Sequence, residues 1–327
     1  MLKAVVTGVA GQDGSYLAEL LLDQGYQVIG ISRRRSANRG YPNVSHLIGV
    51  DNFTFLEGDI CDATFLNRVI YTYRPEEWYN LAAQSNVGHS FREPTVCFDV
   101  NAKAVISQLD ALRSLSPYTR FYQASTSELW GGLKCPEGGY SEGMMFHPRS
   151  PYGVSKLAAY WAVVNYREAY GMYACNGILH NHSSPRRGPD FATRKITNGI
   201  ARVKLGLQDK LRMGNLSAFR DEGHSKDFVK AMHLMLQQES PNDYVISTGS
   251  GATIEEMFKY VCEIAGLDFE NVYEMDKRYM RPSEVPYLLG NSRKAREELN
   301  WVPEYTWKAL LKEMYESDLS HWSIKAY

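Results

Sequence analysis

The sequence predicts an α/β fold, a doubly wound parallel sheet with a smaller α/β lobe towards the C-terminus. Three observations predict it. Short apolar runs alternate with longer helical patterns through the first half, the pattern of βαβ units. A glycine cluster follows the first apolar run directly. After about residue 182 the regular alternation gives way to Pro185-Arg186-Arg187-Gly188 and less regular elements.

Taken in order, Leu2–Val6 reads as the first strand and Ser15–Leu22 as an amphipathic helix ending near Gly25. Tyr26–Ile31 and Phe53–Leu56 read as the second and third strands. Glu77–Leu81 and Arg120–Ala124 read as the fourth and fifth, with helices near Ala63–Tyr73 and Ala102–Leu115 between them. A long helix from Pro151 to about Tyr170 precedes a strand at Tyr173–Leu179. Beyond it, Tyr244–Ser247 reads as one more short strand, and Glu255–Ala265 and Trp307–Ser317 read as helices. The expected division is a first domain over residues 1–182, to which part of 221–250 returns, and a lobe made mainly of 183–327.

The bulk properties narrow the class of protein. Hydrophobic residues are 44% and charged residues 22% of the 327, as in soluble globular proteins. A net charge of −1 gives no global field for nucleic acid or an anionic membrane, so neither is expected as a partner. The five cysteines are scattered, without a C-x-x-C pair, and read as reduced thiols. Met1–Val6 runs straight into a strand, and no window reaches the roughly 18 apolar residues of a membrane span. A soluble, cytoplasmic protein is the expectation.

Gly8, Gly11 and Gly14 stand in a G-x-x-G-x-x-G spacing between the first strand and first helix. Gly8 permits the tight turn, Gly11 a close approach of backbone to a pyrophosphate, and Gly14 close helix–strand packing. With Gln12 and Asp13, this turn opens a helix whose free N–H groups suit phosphate, the Rossmann arrangement for a dinucleotide. Arg33, Arg34 and Arg35 follow the second strand, where an NAD site usually places a carboxylate. They suit the 2′-phosphate of NADP, the cofactor expected here, although the same residues also describe a solvated basic loop. Asp59 and Ile60 after the third strand, and Leu81 and Ala83 after the fourth, are where such a cofactor passes.

Tyr152 and Lys156 are four residues apart, on one face of a helix. An ammonium there is expected to lower the tyrosine pKa towards a value useful to a general base. Thr126, Ser127 and Glu128 lie at the C-terminal end of the fifth strand, where open α/β sheets bind ligands. Thr126 can hydrogen-bond the oxygen that Tyr152 deprotonates. Glu128 can take a proton from carbon, or can cap a turn or pair with an arginine. His180 and His182 form H-x-H with no third ligand nearby, so no metal site is expected.

These stretches resemble the GDP-mannose 4,6-dehydratases, extended short-chain dehydrogenase/reductase enzymes of nucleotide-sugar metabolism. Thr7–Leu22, Tyr79–Ser85, Arg120–Leu129, Arg149–Lys156, Asn165–Leu179, Ser184–Gly188, Thr193–Ile196 and Arg281–Gly290 carry the similarity, with Arg220-Asp221 and Lys226-Asp227. The resemblance implies a redox-neutral loss of water: oxidation at the sugar C4 by bound NADP with Tyr152 as base, removal of the C5 proton by Glu128, and return of hydride to C6. It implies Asn181, Arg187, Lys195, Arg220, Arg281 and Glu284 around GDP-mannose or a similar nucleotide sugar, a place in GDP-fucose biosynthesis, and a homotetramer or homodimer. The sequence departs from the family pattern at Ser183 (usually glutamate), Glu222 (tryptophan), Trp130 (tyrosine) and Asn291 (aspartate). A related GDP-sugar dehydratase or a reductase of the 4-keto product stays open, as does a non-catalytic protein that senses NADP.

Overall fold

The computed structural model describes residues 1–34, 40–280 and 282–325. The chain runs β1 (Lys3–Thr7), α1 (Gln12–Asp23), β2 (Gln27–Ser32), β3 (Phe53–Glu57), α2 (Ala63–Tyr73), β4 (Glu77–Asn80), α3 (Val87–Ser90) and α4 (Pro94–Phe98). It continues through α5 (Ala104–Leu115), β5 (Arg120–Ala124), α6 (Pro151–Tyr170), β6 (Ala174–Leu179), β7 (Asn181–Ser183), α7 (Ala192–Lys204), β8 (Leu211–Met213) and β9 (Phe219–His224). Then come α8 (Ser225–Leu236), β10 (Tyr244–Ile246), β11 (Gly251–Thr253), α9 (Ile254–Ala265), α10 (Phe269–Val272), β12 (Tyr273–Met275), β13 (Tyr287–Leu288), α11 (Arg293–Leu299) and α12 (Trp307–Lys325).

Seven strands form one parallel sheet in the order β3-β2-β1-β4-β5-β6-β10. Its strands are apolar on both faces because helices cover both. On one face Leu17, Leu21, Phe228, Met232 and Met235 from α1 and α8 pack against Val6 and Tyr122. On the other, Leu66, Val69, Leu109 and Val163 pack against Val5, Ile29 and Phe121. The strand order reverses between β1 and β4, which opens a crevice at the carboxyl ends of both. A second core, with Ile196, Ile200, Met257, Phe258, Leu310 and Met314, belongs to α7, α9 and α12. There β9 is the hub: it pairs with β11 antiparallel and with β13 and β7 parallel. No described helix is long and apolar enough to cross a membrane.

Local chemistry sets the helix ends. Asp62 accepts from the N–H groups of Thr64 and Phe65 at the start of α2. Ser150 caps α6 before Pro151, and Gly171, at φ 66°, ends it. Thr253 and Glu256 form a capping box on α9. Three expected helices differ in extent, the first of them starting at Gln12 rather than Ser15. The one expected from Ala102 starts as a π-helical turn at Asp99–Lys103 before α5. The last runs to Lys325 rather than Ser317, because beyond that point Leu319 and Trp322 pack against the second core and Asp318 pairs with Arg194 on α7.

Candidate active site

The first and fourth strands are tied at the mouth of the crevice by one hydroxyl. Thr7 Oγ1 donates to Asn80 Oδ1 at 2.7 Å and accepts from the N–H groups of Leu81 and Ala82, both at 3.1 Å. Gly8 follows with φ +70°, and a Cβ there would lie 2.9 Å from Ala82 Cα. A Cβ on Gly14 would lie 2.4 Å from the Gly8 carbonyl oxygen. The turn is therefore closed to side chains at both places. Gly11 stands at the N-cap of α1 and no side chain caps the helix, so its first N–H groups remain for an anion. This cradle fits a dinucleotide diphosphate.

Gln12 and Asp13 reach across to the segment after β6. Asp13 Oδ2 lies 2.9 Å from His182 Nε2, and Gln12 Oε1 accepts from the Ser184 hydroxyl at 2.9 Å. Burial alone would raise the Asp13 carboxyl, but the charge and hydrogen bond of His182, with Arg187 and Gln12, outweigh it and hold the pKa at about 2. His182 Nδ1 faces the His180 carbonyl at 2.8 Å, so both its ring nitrogens are engaged. Of the two histidines, His180 has both ring nitrogens buried without a partner among the described residues, while the His182 ring makes this cross-link. The sequence signal for it was the basic block that follows: Arg186 lies over the Tyr16 ring at 3.9 Å and bonds Glu19 at 2.7 Å, fixing that segment to α1.

Past β2, Arg33 and Arg34 are exposed, with Arg34 4.0 Å from the Glu57 carboxylate; Arg35 lies outside the described residues. Asp59 accepts from the Cys61 N–H at 2.9 Å, turning the chain after β3. Arg33, Arg34, Asp59, Ile60, Leu81 and Ala83 line the same cleft as the glycine turn.

That cleft continues to the end of β5. Thr126 caps the short 3₁₀ turn Ser127–Trp130 by accepting from the Glu128 N–H at 3.2 Å. The carboxylate is thereby presented from a rigid turn with 8% exposure. Lys156 Nζ donates to the Ala124 carbonyl at 2.8 Å, joining α6 to the strand end, and lies 5.9 Å from the centre of the Tyr152 ring. The expected lowering of Tyr152 by Lys156 is not found. Burial pushes the Tyr152 hydroxyl up to about 12, with the Thr126 hydroxyl opposing and the Glu128 carboxylate adding to the rise. Burial also pushes Lys156 down to about 8. Desolvation governs both groups, and the ammonium is turned to the Ala124 carbonyl.

The far wall carries the cations. Asn181 opens β7. Arg187 Nη1 donates to the His182 carbonyl at 2.6 Å, and the guanidinium lies 4.0 Å over the Phe191 ring. Its Nε is buried with no hydrogen-bond partner among the described residues, an orphaned donor that suits an incoming anion. Lys195 lies 3.1 Å over the Tyr279 ring, and Arg220 pairs with Glu284 at 3.2 Å. Arg281 lies outside the described residues. Asp221, next to Arg220, accepts from the N–H groups of Thr248, Gly249 and Gly290, pinning β9 to the lobe. Glu222, one of the departures from the family pattern, joins this wall, and Trp130, another, stacks on Tyr140 at 5.2 Å.

Every expected site residue that is described lines this one cleft, of 2690 Å³. Pockets for one small ligand measure about 300–1,000 Å³, so there is room for two ligands end to end.

The family model described as GDP-mannose 4,6 dehydratase matches residues 5–314. The chain belongs to the GDP-mannose 4,6-dehydratase family. A GDP-mannose 4,6-dehydratase of Yersinia enterocolitica is 45% identical over 98% of this chain and 94% of its own. GDP-mannose 4,6 dehydratase 1 of Arabidopsis thaliana is 47% identical over 97% of this chain and 89% of its own. Among solved structures, the UDP-glucose 4-epimerase of Thermus thermophilus, in complex with NAD, superposes with a TM-score of 0.83 at 25% identity, over 97% of this chain and 99% of that one. The family thus sits on a frame shared with nicotinamide-using sugar epimerases.

Proposed function

We propose that the chain removes water from GDP-mannose to give GDP-4-keto-6-deoxymannose, with NADP held throughout. The observation that carries this is Glu128. Interconverting an alcohol and a ketone requires a hydroxyl, a tyrosine and a lysine, whereas a buried carboxylate beside them adds a base for carbon.

Gly8, Gly11, Gly14, Asp59, Ile60, Leu81 and Ala83 would hold the cofactor, with Arg33 and Arg34 at its 2′-phosphate. When bound, an oxidised nicotinamide would supply a hydride acceptor for the sugar. Tyr152 takes the proton of the sugar 4-hydroxyl while Thr126 hydrogen-bonds the same oxygen. The resulting C4 ketone acidifies C5. Glu128 removes the C5 proton and delivers it to the departing 6-hydroxyl, which leaves as water. The hydride taken from C4 ends on C6, and the proton on Tyr152 is available to restore C5. The count closes with loss of one water and no net oxidation.

A substrate diphosphate suits Arg187, Lys195 and Arg220, which converge on the far end of the cleft with Asn181 and Glu284. The unpaired cysteines fit a reducing cytoplasm. A homotetramer or homodimer is supported by an apolar face on adjoining helices α4, α5 and α6, where Phe98, Ile106, Val154 and Trp161 are all at least 44% exposed. GDP-fucose formation is the pathway this product would enter.

The test is to incubate the protein with GDP-mannose and no added reductant. The expected product has lost the mass of one water. An unchanged mass, or turnover that needs external reductant, would overturn the assignment.

A further inference from the structure

Two of the departures from the family pattern touch each other. In the parallel register of β7 and β9, Asn181 faces Glu222 and Ser183 faces His224. The Ser183 hydroxyl donates to Glu222 Oε1 at 2.5 Å and lies 2.8 Å from the Thr193 hydroxyl on α7. The second Glu222 oxygen makes no hydrogen bond among the described residues, and the side chain lines the cleft at 3% exposure. The charged groups acting on it are Arg187 and His182, which attract, and Asp221 on its own strand, which repels. Of the other neighbours, Arg220 pairs with Glu284 and Asp13 with His182, while burial pushes His224 down to about 4 and leaves it uncharged.

Arg187 is held by a carbonyl and a ring rather than by a carboxylate. Its Nε makes no hydrogen bond among the described residues and is left for a phosphate, and Glu222, bonded to Ser183 directly after His182, acts on it through space. We propose that Glu222 is a counter-charge to Arg187, and that a phosphate-bearing ligand binds there together with a proton on the Glu222 carboxylate. This rests on reading Arg187 as a phosphate contact.

The linkage has a definite sign. Burial pushes the Glu222 carboxyl above its ordinary range, against the pull of Arg187 and the Ser183 hydroxyl. A phosphate at Arg187 cancels that pull and adds negative charge, so the carboxyl takes a proton more readily. The ligand prefers the protonated form, and its affinity falls as pH rises, by up to about tenfold per pH unit.

Titration calorimetry of the full chain with GDP and, separately, NADP+, in buffers of different ionisation enthalpy, counts the protons. Wild type is expected to take up as much as one proton with whichever ligand meets Arg187. Glu222→Gln is expected to take up none and to bind that ligand on the order of tenfold more tightly in mild alkali. Ser183→Ala removes the donor that favours the ionised form, so its affinity falls at a higher pH than in wild type. This arm decides if Glu222→Gln fails to fold by circular dichroism. Equal proton counts in wild type and Glu222→Gln, no uptake with either ligand, or an unmoved pH profile in Ser183→Ala would overturn the proposal. Arg187→Gln separates the premise: unchanged affinity for both ligands removes the phosphate reading of Arg187 instead.

Discussion

Replacing Glu128 by glutamine divides the proposed reaction at its middle. The amide is nearly the same shape, so the 3₁₀ turn and its Thr126 cap, made by the Glu128 backbone N–H, stay in place. What is lost is a base for C5 and an acid for the departing hydroxyl. One positioned acid or base contributes about 10²- to 10⁴-fold, or about 3 to 5 kcal/mol of barrier. Turnover should fall by at least that range, because one carboxylate serves both events. The first step should respond in the other direction. Burial sets Tyr152 at about 12, the Thr126 hydroxyl opposes it, and the Glu128 carboxylate adds to the rise. Removing that charge lets the phenol ionise at lower pH, so the rising limb of C4 oxidation, which follows ionisation of the base, moves to lower pH. Rapid mixing of NADP-loaded protein with GDP-mannose, followed by nicotinamide absorbance and product mass, reads both effects. Reduced nicotinamide should form and persist without loss of water. Full turnover, or no reduction at all, would refute the role of Glu128.

Further outcomes follow from the geometry. Gly14→Ala forces a Cβ to within 2.4 Å of the Gly8 carbonyl and 2.6 Å of Val9 Cα, both backbone, so it should cost about 1–3 kcal/mol and weaken NADP binding; a thermal melt and a cofactor titration check this. Burial pushes His180 from 6.5 down to about 3, so the folded state refuses a proton that the unfolded chain accepts. Its contribution is present above the unfolded pKa and lost as pH falls from 6.5 towards 3, at up to about 1.4 kcal/mol per pH unit. His180→Phe should flatten that part of the acid side in urea unfolding, and an unchanged slope would count against it. Trp161→Arg, at a site 56% exposed, should lower the molecular mass seen by light scattering if α6 lies in a subunit interface.

The sequence spoke clearly wherever chemistry is local. Capped helices such as Ser150–Pro151 into α6, and apolar runs such as Ala4, Val5 and Val6 of β1 or Phe121 and Tyr122 of β5, announce themselves within a few residues. The glycine turn did so too, because Gly8 and Gly14 are demanded by neighbouring backbone. What stayed hidden depends on partners far along the chain. Asp13 meets His182 across 169 positions, and Ser183 meets Glu222 across 39, so no spacing rule reveals either pair. The lobe was faint because β7, β8, β11, β12 and β13 have three residues or fewer, too short for a period to register. For Tyr152 the adjacency of Lys156 on the helix was legible, while the burial that raises the phenol was not.

The edge strand β10 has a consequence for how this chain is made. It pairs with β6, all six of whose residues are buried, yet it arrives only after β7, β8, β9 and the helices between them. A nascent chain that has reached Leu179 holds a sheet whose last strand offers a bare row of unpaired N–H and C=O groups flanked by side chains that are buried in the finished fold. Such an edge invites pairing with another chain. A polypeptide cut shortly after β6 should therefore aggregate instead of folding as an independent cofactor-binding unit, and aggregation during synthesis should fall once residues 244–246 have left the ribosome.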